Sequence, residues 1–177
     1  MQLKKQDYLY IFEMAIVISV SFSMLLYGIG KPLQFSNSNV TQKPVSALTG
    51  MELMWAFYGY SKIYPLVLGF FEIAGAILLL FRKTRLLGGL VITSILFNVI
   101  LQDVFYGVNE GALRAAILYQ VSVFIIFWLN RKLLTQIMQF YFKQFVFIPK
   151  SQNKWLILVL AGIGAVFLKV VEAFLTH

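Results

Sequence analysis

The run Tyr64–Phe81, YPLVLGFFEIAGAILLLF, is apolar throughout except for Glu72 at its centre. A helix of about 18 such residues reaches across the hydrocarbon core of a bilayer. An ionisable side chain at that depth costs about 2.5 kcal/mol or more, so it faces a bundle interior or a cavity and marks a candidate functional site. The run assigns the chain to a membrane, and Glu72 marks where in it chemistry is to be sought.

Composition agrees. The chain has 177 residues, 60% hydrophobic and 12% charged, against about 25% charged in soluble domains. Hydropathy predicts five spanning helices, at Tyr8–Ile29, Ile63–Phe81, Leu86–Val104, Ala112–Leu129 and Trp155–Phe174. The fold class is all-α: a polytopic transmembrane helical bundle. The first span follows Lys4 and Lys5 like a signal peptide, but it is too long for an h-region and no cleavage site follows it, so it reads as a retained helix.

Cations set the expected orientation. Lys4, Lys5, Arg82, Lys83, Arg85, Arg131, Lys132, Lys143, Lys150 and Lys154 fall on one side, and Lys31, Lys43, Lys62, Arg114 and Lys169 on the other. Ten against five predicts a cytoplasmic N-terminus and an external C-terminus. The net charge of +8 is then positive-inside bias and headgroup attraction. It offers no basic face of a soluble domain for nucleic acid. Without cysteine, and with His177 as its one histidine, the chain has no thiolate chemistry, no iron–sulfur ligands and no bis-histidine haem site, and no metal site is expected.

Spacing supplies the candidate site. Pro65, Gly69, Glu72 and Ala76 share one helix face that should point into the bundle. On the third span Ser94, Asn98 and Gln102 form a polar stripe ending beside Asp103, and Asn98 is the expected hydrogen-bond partner of Glu72. No Lys or Arg within the spans sits at the depth of Glu72. Asp103 and Arg114 read either as a salt bridge closing a hairpin or, at Arg114, as an anion or headgroup site. Tyr119 and Ser122 could complete the polar interior, whereas Gln120 points to another helix or subunit. Ser19, Ser23 and Tyr27 form a packing stripe on the first span, and Glu13 is a weaker functional candidate at its start.

Two amphipathic segments accompany the spans. Gly30–Gly50 reads as an irregular loop, in which Asn39-Val40-Thr41 fits the glycosylation pattern without being assigned a role. Leu48–Lys62, with Trp55, Phe57, Tyr58 and Tyr60, is either an interfacial anchor or a lid over a cavity. Arg131–Phe147 places Leu134, Ile137, Met138, Tyr141 and Phe145 opposite its lysines, as an interfacial helix does. The last span carries a small-residue patch at Ala161-Gly162-x-Gly164-Ala165 and the pair Lys169 and Glu172.

The pattern Trp55-x3-Gly59-Tyr60-Ser61-x3-Pro65-x3-Gly69-x2-Glu72-x2-Gly75-Ala76, followed by Arg82-Lys83-x-Arg85, resembles the DoxX-like family of bacterial membrane proteins. The likeness includes Gly30-Lys31 and the segment around Asn98, and covers roughly residues 8–130. It implies a four-helix core over residues 1–130, to which residues 131–177 add an interfacial helix and a fifth span. It also implies an inner-membrane protein working beside other subunits, in some members near thiosulfate-to-quinone electron transfer. Three functions follow as expectations. The first is a non-catalytic subunit or assembly factor, self-associating or bound to other membrane subunits, whose cavity holds a lipid or quinone. The second is a quinone-interacting oxidoreductase subunit in which Glu72 is the catalytic candidate for proton transfer. The third is a small proton-coupled transporter. Candidate ligand-binding residues are Glu72, Asn98, Gln102, Asp103, Arg114, Tyr119 and Trp55; no cofactor is held by the chain's own ligands.

Overall fold

The computed structural model describes residues 3–36, 43–145 and 153–176, with the side chains of Gln144 and Phe145 excepted. The triplet Asn39-Val40-Thr41, the segment 146–150 and His177 lie outside the described residues. Those residues form seven α-helices and a short 3-10 turn, with no strand: α1 Lys5–Gln34, α2 Gly50–Tyr60, α3 Ile63–Leu80, α4 Arg85–Tyr106, α5 Glu110–Leu129, α6 Arg131–Phe145 and α7 Lys154–Thr176. Of these, α1, α3, α4, α5 and α7 are long and apolar enough to cross a membrane. By length and composition the chain is a multi-pass membrane protein.

Two compact units divide the chain, Met1–Gln136 and Ile137–His177, with the boundary inside α6. In the first, α1, α3, α4 and α5 pack as a ring of four, each touching the next and α5 returning to α1. Every third or fourth residue of each helix faces the centre: Val17, Val20 and Met24 of α1, Ala76 and Leu79 of α3, Ile92 and Leu96 of α4, and Ala116, Val123 and Ile126 of α5. In the second unit α7 exposes an apolar surface along its whole length, and Lys169 Nζ meets Glu172 Oε2 at 2.6 Å.

The first span corrects the sequence reading. It runs to Gln34, so Gly30, Lys31 and Pro32 lie inside a helix and not in a loop. Pro32 has no N–H for the carbonyl of Gly28, four residues earlier, and such a break is tolerated in membrane helices where packing holds the segment. Here the packing is against α3. A Cβ on Gly69 would fall 2.5 Å from the Gly28 carbonyl oxygen, and one on Gly28 would fall 2.7 Å from that of Gly69. Two absent side chains thus let the backbones of α1 and α3 meet, as small residues do at membrane helix interfaces.

At the opposite end Arg85, 3% exposed, holds the bundle shut. Its Nε and Nη2 donate to the carbonyls of Leu79 and Leu80, which end α3, at 3.2 and 3.4 Å. Its Nη1 donates to Glu13 Oε1 at 2.7 Å, and Asn130 Nδ2 donates to the same oxygen at 2.8 Å. A guanidinium suits this place because it caps helix carbonyls and pairs with a carboxylate at once. Glu13, a weak functional candidate by sequence, is a structural tie between α1, α4 and the α5–α6 junction.

Candidate functional site

The buried face of α3 is the expected one: Pro65, Gly69, Glu72, Gly75, Ala76 and Leu79. Glu72 is 3% exposed. Its partner is Lys31, whose Nζ lies 3.1 Å from Glu72 Oε1, and not Asn98. The contact is possible because α1 stays helical past Ile29 and because the Gly28–Gly69 approach brings Lys31 against α3. A cation does reach the glutamate, contrary to the sequence expectation. Glu72 Oε2 is buried without a hydrogen-bond partner.

Asn98 and Ser94 are exposed, so of the stripe expected to line the interior only Gln102, half-buried, turns inward. Ser94 Oγ donates to its own helix at Leu90, and Asn98 Oδ1 accepts from Gln102 Nε2 at 3.0 Å. The physical reason is rotational: the buried positions of α4 are Arg85, Leu86, Gly88, Gly89, Ile92, Leu96 and Asp103, and Asn98 lies off that stripe. Asp103 and Arg114 are also separate. Asp103 is buried, whereas Arg114 turns outward to Glu110 Oε2 at 2.8 Å, with both side chains exposed. The expected hairpin salt bridge is therefore absent among the described residues. Tyr119 accepts from Ser23 Oγ at 2.9 Å and meets Tyr27 edge to face, joining α5 to α1. Gln120, expected to meet another helix or subunit, is buried and donates to Thr93 Oγ1 of α4 at 3.3 Å.

A cavity of about 430 Å³ opens at the Lys31 end of the bundle, within the size range of ligand sites. Its walls include Tyr27, Gln34 and Phe35 of the α1 end, Met54, Trp55 and Tyr58 of α2, and Gln102 and Asp103 of α4. Of the seven sequence candidates, Trp55, Gln102 and Asp103 line it. Helix α2 forms because Thr49 caps it: Thr49 Oγ1 accepts from Glu52 N at 3.2 Å while Glu52 Oε2 accepts from Thr49 N at 2.8 Å. The Lys43 ammonium, with the Thr49 groups, holds the Glu52 carboxyl down to about 2. Of the aromatic residues of α2, Trp55 and Tyr58 turn to the cavity and Phe57 and Tyr60 remain exposed. The segment thus covers the cavity with one face and exposes the other.

Phe35 links lid to bundle, stacking on Tyr58 at 4.7 Å and meeting Trp55 edge to face at 5.2 Å. Gln102 Nε2 donates to the Tyr58 hydroxyl at 2.5 Å. Burial pushes the Tyr58 phenol up, against the opposing effect of that hydrogen bond, so it stays neutral. Sequence reasoning missed Lys31 and Phe35. The signal was there: Val17, Ser21, Met24 and Gly28 are the buried stripe of α1, and the same spacing runs on through Lys31 to Phe35.

The Bacillus subtilis (strain 168) uncharacterized protein YwoB is 31% identical over 114 residues, which are 64% of this chain and 73% of YwoB. The chain belongs to the same family as YwoB. No protein-family model and no solved structure matches it.

Proposed function

We propose that this member of the YwoB family is a non-catalytic accessory subunit or assembly factor of a bacterial inner-membrane complex, holding the headgroup of a lipid or quinone beneath α2. The observation that carries this reading is the cavity itself, roofed by Trp55 and Tyr58 and reaching the buried Asp103. Apolar walls with a few convergent polar groups are the ordinary make-up of a small-molecule site. The DoxX-like motif around Glu72 supports an accessory role, and the cation count supports a cytoplasmic N-terminus. On that orientation α2 and the cavity lie at the outer face. The test is purification in mild detergent with mass spectrometry of co-purifying proteins, lipids and quinones. A held headgroup-bearing molecule and a structural partner are expected; a chain that carries neither refutes the reading.

A second reading, a quinone-interacting subunit with Glu72 as proton relay, is favoured by the unpartnered Oε2 of Glu72 and its electrostatic reach to Tyr27 of the cavity wall. Electrons would come from a partner. Glu72→Gln should then abolish quinone-linked respiration in cells at unchanged protein abundance.

A further inference from the structure

We propose that the ligand of this cavity carries an ammonium group, with Asp103 as its counter-ion and Trp55 as the aromatic ring beside it. The inference rests on the cavity-binding reading and names its ligand chemistry.

Asp103 is 7% exposed and lines the cavity; its Oδ2 is closed off without a hydrogen-bond partner, which leaves its other oxygen as the one a ligand in the cavity can meet. A buried carboxylate is costly unless a proton or a cation meets it. The surrounding charges leave that vacancy unfilled. Lys31 lies within electrostatic reach of Asp103 but is engaged by Glu72 at 3.1 Å. Two carboxylates therefore share one ammonium, and the second still needs a cation or a proton to meet it. The other cations at this end are elsewhere: Lys43 binds Glu52 at 2.7 Å, Arg114 binds Glu110 at 2.8 Å, and Lys62 is exposed.

The walls say which cation fits. Ca²⁺ or Mg²⁺ takes six or more oxygen ligands and zinc prefers His and Cys, whereas this cavity presents the ring of Trp55, while Phe35 and Tyr58 stack on each other, Tyr58 stacks also on Tyr64, and Lys31 Nζ already lies 5.9 Å from the Phe35 centroid. Ring faces attract organic ammonium groups through their quadrupole, and aromatic cages recognise choline-like cations in this way. A quinone carbonyl seeks donors and gains nothing from an ionised carboxylate, which only accepts. The ammonium of a free amine and that of an ethanolamine lipid headgroup meet these requirements equally.

The test uses the full chain in detergent. Isothermal titration compares choline and ethanolamine with 3,3-dimethyl-1-butanol, the uncharged carbon isostere of choline. Native mass spectrometry from nanodiscs of phosphatidylethanolamine or phosphatidylglycerol reads lipid retention. Saturable binding of an amine without the isostere, or selective retention of phosphatidylethanolamine, is expected; the first alone identifies a free amine and the second a lipid headgroup. Asp103→Asn and Trp55→Leu should each weaken binding about ten-fold or more, and Glu110→Gln should leave it unchanged. Equal binding of the isostere together with equal retention of both lipids, or undiminished binding by Asp103→Asn, overturns the inference. If Asp103→Asn does not fold, Trp55→Leu and the isostere decide. A menaquinone analogue that binds where no amine does overturns the ammonium and leaves the cavity reading standing. No binding by amine, quinone or lipid sinks both.

Discussion

Lys31→Met keeps most of the aliphatic stem and removes the ammonium that meets Glu72. The pair is enclosed, with side chains 13% and 4% exposed and 3.1 Å between Nζ and Oε1. Removing one partner of a buried pair costs about 3–5 kcal/mol, because the other charge is left uncompensated. Glu72 can escape by taking a proton, and protonating an ordinary carboxylate at pH 7 costs about 3.7 kcal/mol, which caps the loss. A deficit of about 3 kcal/mol lowers Tm by roughly 6–12 °C for a chain of this size. The same logic fixes the pH dependence. At pH 5 that protonation costs only about 1 kcal/mol, so the deficit against wild type should narrow as pH falls. The double variant Lys31→Met/Glu72→Met should recover most of the loss, since no charge is stranded. Glu72→Gln should cost less than Lys31→Met, because Lys31 sits in the last turn of α1 and its long stem lets the ammonium snorkel to the bundle end. Thermal unfolding in detergent, read by fluorescence-detected size exclusion, measures all four. A Lys31→Met protein that melts within about 2 °C of wild type at pH 7, or a double variant no more stable than the single, would refute the reasoning.

Gly69→Val forces a side chain onto the Gly28 carbonyl, where even a Cβ would sit at 2.5 Å; it should cost about 1–3 kcal/mol and loosen the Lys31–Glu72 contact, seen as a lower Tm. Arg85→Lys should be no rescue for Arg85→Met, since one ammonium cannot reach Leu79, Leu80 and Glu13 together; equal melting of Arg85→Lys and wild type contradicts the capping role. Truncation after Gln136 should still give an inserted, monodisperse protein, because the buried core residues lie between Val17 and Ile126; aggregation of the truncated chain would show that the second unit belongs to the core. Reporter fusions after Leu48, Lys83, Asn109 and the C-terminus should read out, in, out and out, and a cytoplasmic C-terminal reporter inverts the orientation or removes the fifth crossing.

The sequence by itself determined the membrane, the helices and which face of α3 is buried. Apolar length fixes the spans, and the spacing of Pro65, Gly69, Glu72 and Ala76 places them on one stripe whatever the neighbours are. Helix edges were legible to within a few residues, with α1 the exception because Gly30 and Pro32 read as breakers when no packing partner is known. Asp103 was also within reach, since it lies seven residues beyond the buried Leu96, whereas Asn98 drew attention for its polarity and not its phase. What only the tertiary structure decided is who meets whom. Periodicity gives each helix a face but not its rotation or axial height against the next one. The glycine contact of α1 with α3 sets both, and so gives Glu72 to Lys31. The cavity is likewise invisible in one dimension. It exists because Phe35, Trp55, Tyr58 and Asp103, drawn from two helices and a helix end, converge where the ring of four is roofed by α2.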